Sequence, residues 1–248
     1  MGGPGLRASV VIRAKNEARY VGEVLEAIFD QVEAGPFEVV VVDSGSTDQT
    51  VEIVKRFDVR LIEILPQEFT YGRALNIGVA AATGEFVVSL SAHSTPATNR
   101  WLSSLLEPFA EPRVAGVLGR QIPRDNATVL ELLGMRMSGV MSEKPALRRN
   151  PRFSNANGAF RRSLWELLPF DEHVAGAEDF AWARSMLAYG HLIAYAPDGA
   201  AYHSHGEPLK KHLRRIMHDA PTVLGNVLGL GSAWDRVSQI SRKAVDGE

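Results

Sequence analysis

Apolar residues follow two kinds of spacing along the first part of the chain. Short runs rich in β-branched residues, at Ala8 to Ile12 and at Val39 to Val42, predict strands that are buried on both faces, as in a parallel sheet. Between them, apolar residues recur every three or four positions from Tyr20 to Val32, which predicts a helix. Together these elements form a βαβ unit, whose crossover is expected to be right-handed.

The same alternation of strands and helices continues towards the C-terminus. Further strands are predicted at Val59 to Leu65, Glu85 to Leu90, Val114 to Arg120, within Phe153 to Phe160, at Leu192 to Ala196 and at Ala200 to His203. Further helices are predicted at Asp48 to Phe57, Tyr71 to Ala82, Ala97 to Phe109, Thr128 to Met141, Arg162 to Leu168 and Glu178 to Tyr189. This order is typical of an α/β fold with an open mixed, mostly parallel sheet and helices on both faces.

Capping and breaking residues define several helix ends in this prediction. Ser46 or Thr47 is expected to cap the helix that starts at Asp48. Gly84 is expected to end the helix Tyr71 to Ala82. Pro96 is expected to lie in the first turn of the helix Ala97 to Phe109. We therefore expect a flexible lead over residues 1–7, one domain over residues 8–206 and a helical extension over residues 207–248.

Composition narrows the possible partners. The chain has 248 residues, of which 45% are apolar and 23% charged, as in an ordinary soluble globular protein. Its net charge of -2 argues against a nucleic-acid partner. It has no cysteine, which excludes a disulfide framework, a cysteine zinc site and an iron–sulfur cluster and fits a cytoplasmic location. We expect neither a signal peptide nor a membrane span.

Small polar residues follow three of the predicted strands, at Arg13 to Glu17, Asp43 to Asp48 and Ser91 to Thr95. Ligands of open α/β sheets bind beyond the carboxyl ends of the strands, so these clusters predict a binding site. The glycine patterns of dinucleotide-binding and P-loop proteins are absent from the sequence. Asp43 is open to two interpretations, because it either accepts hydrogen bonds from a nucleobase or ribose or caps the turn that follows it.

The segments Val10 to Glu17 and Val40 to Asp48 resemble the opening of the family 2 glycosyltransferases, which have the GT-A fold. Similar segments follow in the family's order, at Phe69 to Gly78, Ala82 to Phe86, Asn157 to Arg162, Glu178 to Asp179 and Tyr202 to His205. The last of them resembles the rhamnosyltransferase-like branch. The resemblance covers about residues 8 to 218, and its strength lies in the order of the blocks.

This resemblance implies an inverting transfer of a sugar from a nucleotide-diphosphate sugar to a hydroxyl acceptor, in polysaccharide, glycolipid or cell-surface glycan synthesis. It implies a donor half over residues 8–96 and an acceptor half over residues 97–206. The residues expected to bind the nucleotide sugar are Ala14, Asn16, Glu17, Asp43, Ser44, Ser46, Arg73, Ser91 and Ala92. Those expected to bind a glycan or lipid-linked acceptor are Asn157, Gly158 and Trp182, although Trp182 fits a core position equally well.

The resemblance also assigns the chemistry to two adjacent carboxylates. Asp179 is the expected catalytic base for the acceptor hydroxyl. Glu178 is expected to orient the acceptor or to raise the pKa of Asp179 by like-charge repulsion. The competing interpretation is that both residues only stabilise the start of a helix.

The family's metal-binding Asp-x-Asp element reads Ser91-Ala92-His93 in this chain. Three interpretations remain open. His93 binds a metal softer than magnesium together with His203 or His205; or the site works without metal, with protonated His93 and Arg73 or Lys15 at the phosphates; or activity has been lost. Magnesium or manganese is thus a conditional cofactor, and an inactive GT-A domain that binds a nucleotide or a protein partner is the alternative function.

Basic and apolar residues alternate at helical spacing from Pro208 to Met217. This pattern predicts a short amphipathic helix. It either contacts anionic lipid at the inner face of the plasma membrane or packs on its own domain.

Overall fold

The computed structural model describes residues 7–174 and 176–204. The predicted helical extension over residues 207–248 and nearly all of the predicted lead lie outside this part of the chain. The described strands are β1 Ala8–Ala14, β2 Phe37–Asp43, β3 Arg60–Glu63, β4 Phe86–Ser91, β5 Thr95–Pro96, β6 Val114–Ile122, β7 Ala146–Arg148, β8 Asn157–Arg161 and β9 Leu192–Tyr202. The described α-helices are α1 Val21–Phe29, α2 Thr50–Val54, α3 Tyr71–Ala81, α4 Trp101–Leu106, α5 Val129–Ser138, α6 Arg162–Leu167 and α7 Glu178–Ala188.

One sheet runs through the described domain, with the strand order β3-β2-β1-β4-β8-β6-β9-β5. The first four strands are parallel, and β8 lies antiparallel between β4 and β6. Strand β9 is parallel to β6, whereas the short strands β5 and β7 pair with it in the antiparallel sense. The prediction of an open mixed, mostly parallel sheet is confirmed.

Both faces of the sheet are covered, because successive side chains of a strand point to opposite faces. On β1, Val10 and Ile12 pack with the buried residues of α1 and α4 in one apolar cluster. Val11 packs on the other face, with residues of α3 and α7. All three of these β1 side chains are fully buried, as the uninterrupted apolar run predicts.

Two of the predicted helix ends are wrong. Neither Ser46 nor Thr47 caps α2; instead Asp48 Oδ1 accepts a hydrogen bond from Thr50 N at 3.0 Å. Gly84 does not end α3, because the helix ends at Ala81 and the residue after it is extended. A Cβ at Gly84 would lie 2.5 Å from the carbonyl carbon of Ala8, so glycine is needed there for close approach to β1.

The region after β4 also departs from the prediction. Pro96 lies in β5, opposite Ala201, and helix α4 starts only at Trp101. Proline is tolerated on an edge strand, since one side of such a strand makes no ladder hydrogen bonds. The two strands predicted at Leu192 to Ala196 and Ala200 to His203 form one strand, β9, whose pairing with β6 shifts register between Gly119 and Gln121.

Within residues 7–174 and 176–204, no helix has the length and apolar character needed to cross a membrane.

Candidate active site

The carboxyl ends of β1, β2 and β4 lie side by side at one edge of the sheet. Ala14 at the end of β1 is opposite Asp43 at the end of β2. Arg13 is opposite Ser91 at the end of β4. The three polar clusters that follow these strands in the sequence therefore meet in space, as the sheet topology predicts.

The loops after β1 and β2 interlock through their polar groups. Asn16 N donates to Ser46 Oγ at 2.8 Å, and Thr47 N donates to Asn16 Oδ1 at 2.8 Å. Glu17 N donates to Thr50 Oγ1 at 2.7 Å. Asn16 has a φ of 55°, a left-handed conformation that asparagine adopts more readily than most residues. These bonds hold the two expected nucleotide loops in one arrangement.

Asp43 is only 1% exposed, and its carboxylate folds back on its own loop. Its Oδ2 accepts hydrogen bonds from Gly45 N at 3.0 Å and Ser46 N at 2.8 Å, and its Oδ1 accepts one from Ser46 Oγ. Ser44 is equally buried and donates from its N to Ala14 O at 3.0 Å. Of the two interpretations of Asp43, the structure shows the turn cap, and contact with a nucleotide stays a prediction.

The two carboxylates at the start of α7 have different surroundings. Asp179 is partly exposed, and its Oδ1 accepts from Phe180 N at 2.7 Å and its Oδ2 from Asn155 N at 3.0 Å. Glu178 is 4% exposed, and its Oε1 accepts from Asn155 Nδ2 at 3.1 Å and lies 3.6 Å from Arg13 Nη1. Both carboxylates are thus fixed by one asparagine.

These surroundings raise the pKa of Asp179 to about 7. Removal of the carboxyl group from water is the main cause, and the negative charge of Glu178 adds to it. The hydrogen bonds from Asn155 N and Phe180 N, and the positive charge of Arg13, lower the pKa and only partly offset the rise. The predicted like-charge effect of Glu178 is therefore present. A carboxyl group of this kind changes its ionisation near neutral pH, which suits a general base.

Arg13 belongs to the polar cluster that the sequence analysis identifies after the first strand, but that analysis assigns it no role of its own. It lies on the same face of β1 as Val11 and extends between α3 and α7. Its Nη1 lies 3.5 Å from Tyr71 O, and its guanidinium carbon is 5.2 Å from the centre of the Tyr71 ring. The signal in the sequence was a charged residue that directly continues a buried apolar strand.

The predicted histidine cluster lies on the other side of the same edge. His93 Nδ1 is 2.8 Å from Glu17 Oε1. The rings of His93 and His203 stack with their centres 5.1 Å apart, and His203 Nδ1 is 3.2 Å from Gln121 Oε1. The fold thus brings His93, Glu17 and His203 together, whereas His205 lies outside the described residues.

The donor set around His93 does not match a magnesium site. Magnesium prefers carboxylate and water oxygens, whereas this cluster offers two imidazoles that each face an oxygen-bearing side chain. In the described ranges no three histidine, aspartate or glutamate side chains are arranged to hold a metal ion.

Arg124 lines the same cluster and was not predicted. Its Nε donates to His93 O at 3.3 Å, and its terminal nitrogen contacts Thr95 Oγ1. Its guanidinium packs 4.5 Å above the Tyr20 ring and pairs with Glu23 at 3.4 Å. Arg124 therefore holds the turn that follows β4.

The expected phosphate ligands differ in accessibility. Arg73 pairs with Glu172 at 3.5 Å and with Glu68 at 3.9 Å, so its guanidinium already faces two carboxylates. Lys15 is exposed directly after β1.

In the turn after β4, Ser91 is partly exposed, while Ala92 is buried and donates from its N to Arg13 O at 3.2 Å.

Asn157 belongs to the core rather than to an acceptor surface. Its side chain is fully buried, with Oδ1 accepting from Trp101 Nε1 at 2.9 Å. Its Nδ2 donates to Arg120 O and Gly199 O, both at 2.9 Å. These bonds use the polar atoms of the amide and leave no exposed surface for an acceptor, so the sequence expectation is corrected.

Gly158 and Trp182 are corrected for the same reason. A Cβ at Gly158 would lie 2.5 Å from Ser154 O, so this glycine serves close packing in β8. Trp182 is 2% exposed and donates from Nε1 to Leu168 O at 3.1 Å. Its ring packs among three phenylalanine rings of the core, so of the two interpretations of Trp182 the structure shows the core aromatic.

Comparison with known proteins agrees with this fold. The model of the family described as glycosyl transferase family 2 matches residues 9–168. The O-antigen chain rhamnosyltransferase WbaN of Salmonella anatum is 30% identical over 190 residues, which cover 73% of this chain and 60% of that protein. The O-antigen chain rhamnosyltransferase RfbN of Salmonella typhimurium is 27% identical over 221 residues, or 85% of this chain and 70% of that protein.

Solved structures show the same architecture. The mannosyltransferase PcManGT from Pyrobaculum calidifontis, in complex with GDP-Man and Mn²⁺, is 25% identical with a TM-score of 0.67, and the match covers 98% of this chain and 76% of that one. TarS from Staphylococcus aureus in complex with UDP-GlcNAc gives a TM-score of 0.62 at 22% identity, covering 82% of this chain and 60% of that one. The chain belongs to glycosyl transferase family 2 and has the GT-A fold.

Proposed function

We propose that this protein transfers a sugar from a nucleotide-diphosphate donor to a hydroxyl group, with inversion at the anomeric carbon and Asp179 as the base. The observation that carries the proposal is the Asp179 carboxyl group, fixed by two backbone N–H groups at the ligand-binding edge of the sheet and with its pKa raised to about 7. Asp179 takes the proton of the acceptor hydroxyl as that oxygen attacks the anomeric carbon. The bond to the diphosphate breaks in the same displacement.

The donor class follows from the relatives. WbaN and RfbN are named as rhamnosyltransferases of the O-antigen chain, which supports a nucleotide-activated deoxyhexose such as rhamnose as donor. The same names support a growing lipid-linked or free glycan as acceptor. The interlocked loops after β1 and β2 are the proposed nucleotide-binding surface, with Asn16 and Lys15 exposed on it.

We place the leaving diphosphate beside the turn Ser91-Ala92-His93, with Lys15, which is exposed and directly follows the neighbouring strand β1, as a second contact for the phosphates. His93 and Lys15 offer nitrogen groups in place of the acidic pair that the family resemblance leads one to expect, and one carboxylate, Glu17, faces His93. Carboxylates bring negative charge and need a metal to bind phosphate, whereas amine and imidazole donors contact phosphate oxygens directly.

We also place the full chain at the inner face of the plasma membrane. The support is the alternation of basic and apolar residues from Pro208 to Met217, outside the described residues. Such segments bind anionic lipid through both their charge and their apolar face.

The test begins with a thermal-shift panel of UDP, GDP and dTDP sugars, since a bound ligand raises the apparent stability of the native state. The donor that binds is then used in a transfer assay. Asp179→Asn is expected to lower turnover by about 10² to 10⁴-fold with donor binding retained. Asp58→Asn, an exposed carboxylate just before β3 at the opposite edge of the sheet, is the matched control.

Two results separate the alternatives. Unchanged turnover in Asp179→Asn removes Asp179 as the base. Donor binding without transfer to any glycan acceptor supports the alternative function, a GT-A domain that binds nucleotide and is catalytically inactive.

A further inference from the structure

A buried ion pair joins three elements beside the proposed base. Arg13 at the end of β1 and Glu178 at the start of α7 lie 3.6 Å apart, and their side chains are only 14% and 5% exposed. Arg13 also contacts α3, through Tyr71 O and the Tyr71 ring. Burying two charges is costly even when they are paired, and leaving one of them alone costs more. The position of Glu178 therefore depends on Arg13.

A continuous series of contacts leads from Arg13 to Asp179. Glu178 Oε1, which faces Arg13, also accepts a hydrogen bond from Asn155 Nδ2 at 3.1 Å. Asn155 is 1% exposed, and its backbone N donates to Asp179 Oδ2 at 3.0 Å. A displaced Glu178 would therefore carry Asn155 with it and loosen the hydrogen bond that orients Asp179.

The same residues set the local charge. In the described part of the chain, the charged groups that act on Asp179 are Glu178 on its own helix and Arg13 on β1. The negative charge of Glu178 favours the protonated form of Asp179, and the positive charge of Arg13 favours the ionised form. Without Arg13, both carboxylates would remain close together and would lose the positive charge that it supplies.

We propose that Arg13 is a positioning residue that acts through Glu178 and Asn155 to hold Asp179 in place and to keep it ionisable near neutral pH. The inference rests on the proposed function only in taking Asp179 as the base. Arg13 touches neither the acceptor nor the donor in this role. Its effect is on the geometry and charge state of another residue.

The test is a direct titration of the Asp179 carboxyl group in the free protein. The protein is labelled with ¹³C at aspartate carboxyl carbons, and the Asp179 signal is assigned by its absence in Asp179→Asn. Arg13→Met is expected to move the titration midpoint to higher pH, because it removes the opposing positive charge. Arg13→Lys keeps that charge and is expected to restore most of the midpoint. Arg56→Met, an exposed arginine after α2, is expected to leave it unchanged.

A second variant keeps the test informative if Arg13→Met fails to fold. The double variant Arg13→Met/Glu178→Gln has neither charge of the pair, and its midpoint is expected to return to the wild-type value or fall below it. An unchanged or lower midpoint in Arg13→Met, or a Lys variant that behaves as the Met variant does, overturns the inference.

The titration needs no substrate, so its outcome is separate from that of the proposed function. If Asp179→Asn retains turnover, the proposed function fails whatever the titration shows. If Asp179→Asn abolishes turnover and the midpoint does not respond to Arg13, only the inference fails. With an active donor and acceptor, Arg13→Met is further expected to shift the acid limb of the kcat profile to higher pH while the KM for the donor changes little.

Discussion

At the residue scale, one carboxyl group gives the site its sensitivity to pH. Although the residue is partly exposed, the carboxyl group of Asp179 is removed from water, accepts two backbone hydrogen bonds and has a carboxylate neighbour, and its pKa is raised from 3.8 to about 7. A base in this state accepts a proton more strongly than an ordinary aspartate. The same property lowers the stability of the folded protein when Asp179 is ionised, because removal from water disfavours the charged carboxylate.

Stability is therefore expected to fall with pH through this group. The folded protein binds the Asp179 proton more tightly than the unfolded chain does, so the contribution is fully present below pH 3.8 and lost as pH rises through about 7. The difference in Tm between Asp179→Asn and wild type should increase from about pH 5 to about pH 8. Calorimetry at both pH values checks this, with Asp58→Asn as control; a constant difference would contradict the raised pKa.

A second prediction concerns His93 and metals. Magnesium is expected to add nothing to the thermal shift given by the donor nucleotide, because the described groups beside His93 are one imidazole, His203, and one carboxylate, Glu17, rather than paired carboxylates. Any shift that manganese adds should disappear in His93→Ala. Partly exposed His191, which follows α7 and precedes β9, provides the control His191→Ala. An equal response to both ions, retained in His93→Ala, would place the metal elsewhere.

The residues of the site were predictable to different degrees. Glu178, Asp179, His93 and His203 carry chemistry that is visible in the sequence, and the structure brings them to one edge. The Arg13–Glu178 pair was not predictable, because its members are separated by most of the domain and meet only through the fold. Asn157 was assigned to the acceptor site, although its side chain accepts a hydrogen bond from the buried Trp101 indole. The sequence alone does not distinguish an asparagine with this structural role from one that binds a sugar.

At the element scale, glycine decides how closely the elements approach. The sequence predicted the order and type of the main strands and helices, because their apolar periodicity reflects burial. It did not predict the roles of Gly84 and Pro96, which depend on neighbours distant in sequence. Strands β5 and β7 were missed because they are two and three residues long, too short for a pattern.

A matched pair of glycine variants tests this. Gly84→Ala would bring a Cβ within 2.5 Å of backbone atoms of β1, and it is expected to cost about 1–3 kcal/mol of unfolding free energy. Gly134, inside α5, has no atom within 4 Å of an added Cβ. Gly134→Ala should therefore stabilise the protein by about 0.5–1 kcal/mol, the usual helix preference. Urea unfolding measures both, and equal effects would refute the packing argument.

At the scale of the whole molecule, the proposed membrane contact has two candidate segments. Val129, Leu133 and Met137 follow one face of α5 and are 83%, 53% and 74% exposed. The basic segment Pro208 to Met217 carries both charge and apolar residues. Anionic lipid attracts basic residues at about 1 kcal/mol each near the surface, so the segment is the stronger candidate.

The full chain is accordingly expected to float with vesicles that contain anionic phosphatidylserine and to stay behind with neutral vesicles. Replacement of Lys210, Lys211, Arg214 and Arg215 by Gln should abolish flotation, and raised salt should weaken it. Serine at the three exposed α5 positions is the comparison variant and should have a smaller effect. Flotation that depends on α5 alone would assign the contact to that helix, and no flotation at all would remove the membrane from the proposal.

The reversed strand β8, which lies between β4 and β6, contributes to the edge of the sheet that carries the active site. It runs against β4 and β6, so its first residue lies at the edge where β1, β2 and β4 end. This edge is therefore formed by the loops that follow β1, β2 and β4 together with the loop that precedes β8. Asn155 lies in the loop that precedes β8, and its backbone N–H donates a hydrogen bond to Asp179. Changes in the length of the loop before β8 are therefore expected to alter the orientation of the Asp179 carboxylate, while the loops after β1 and β2 keep their positions.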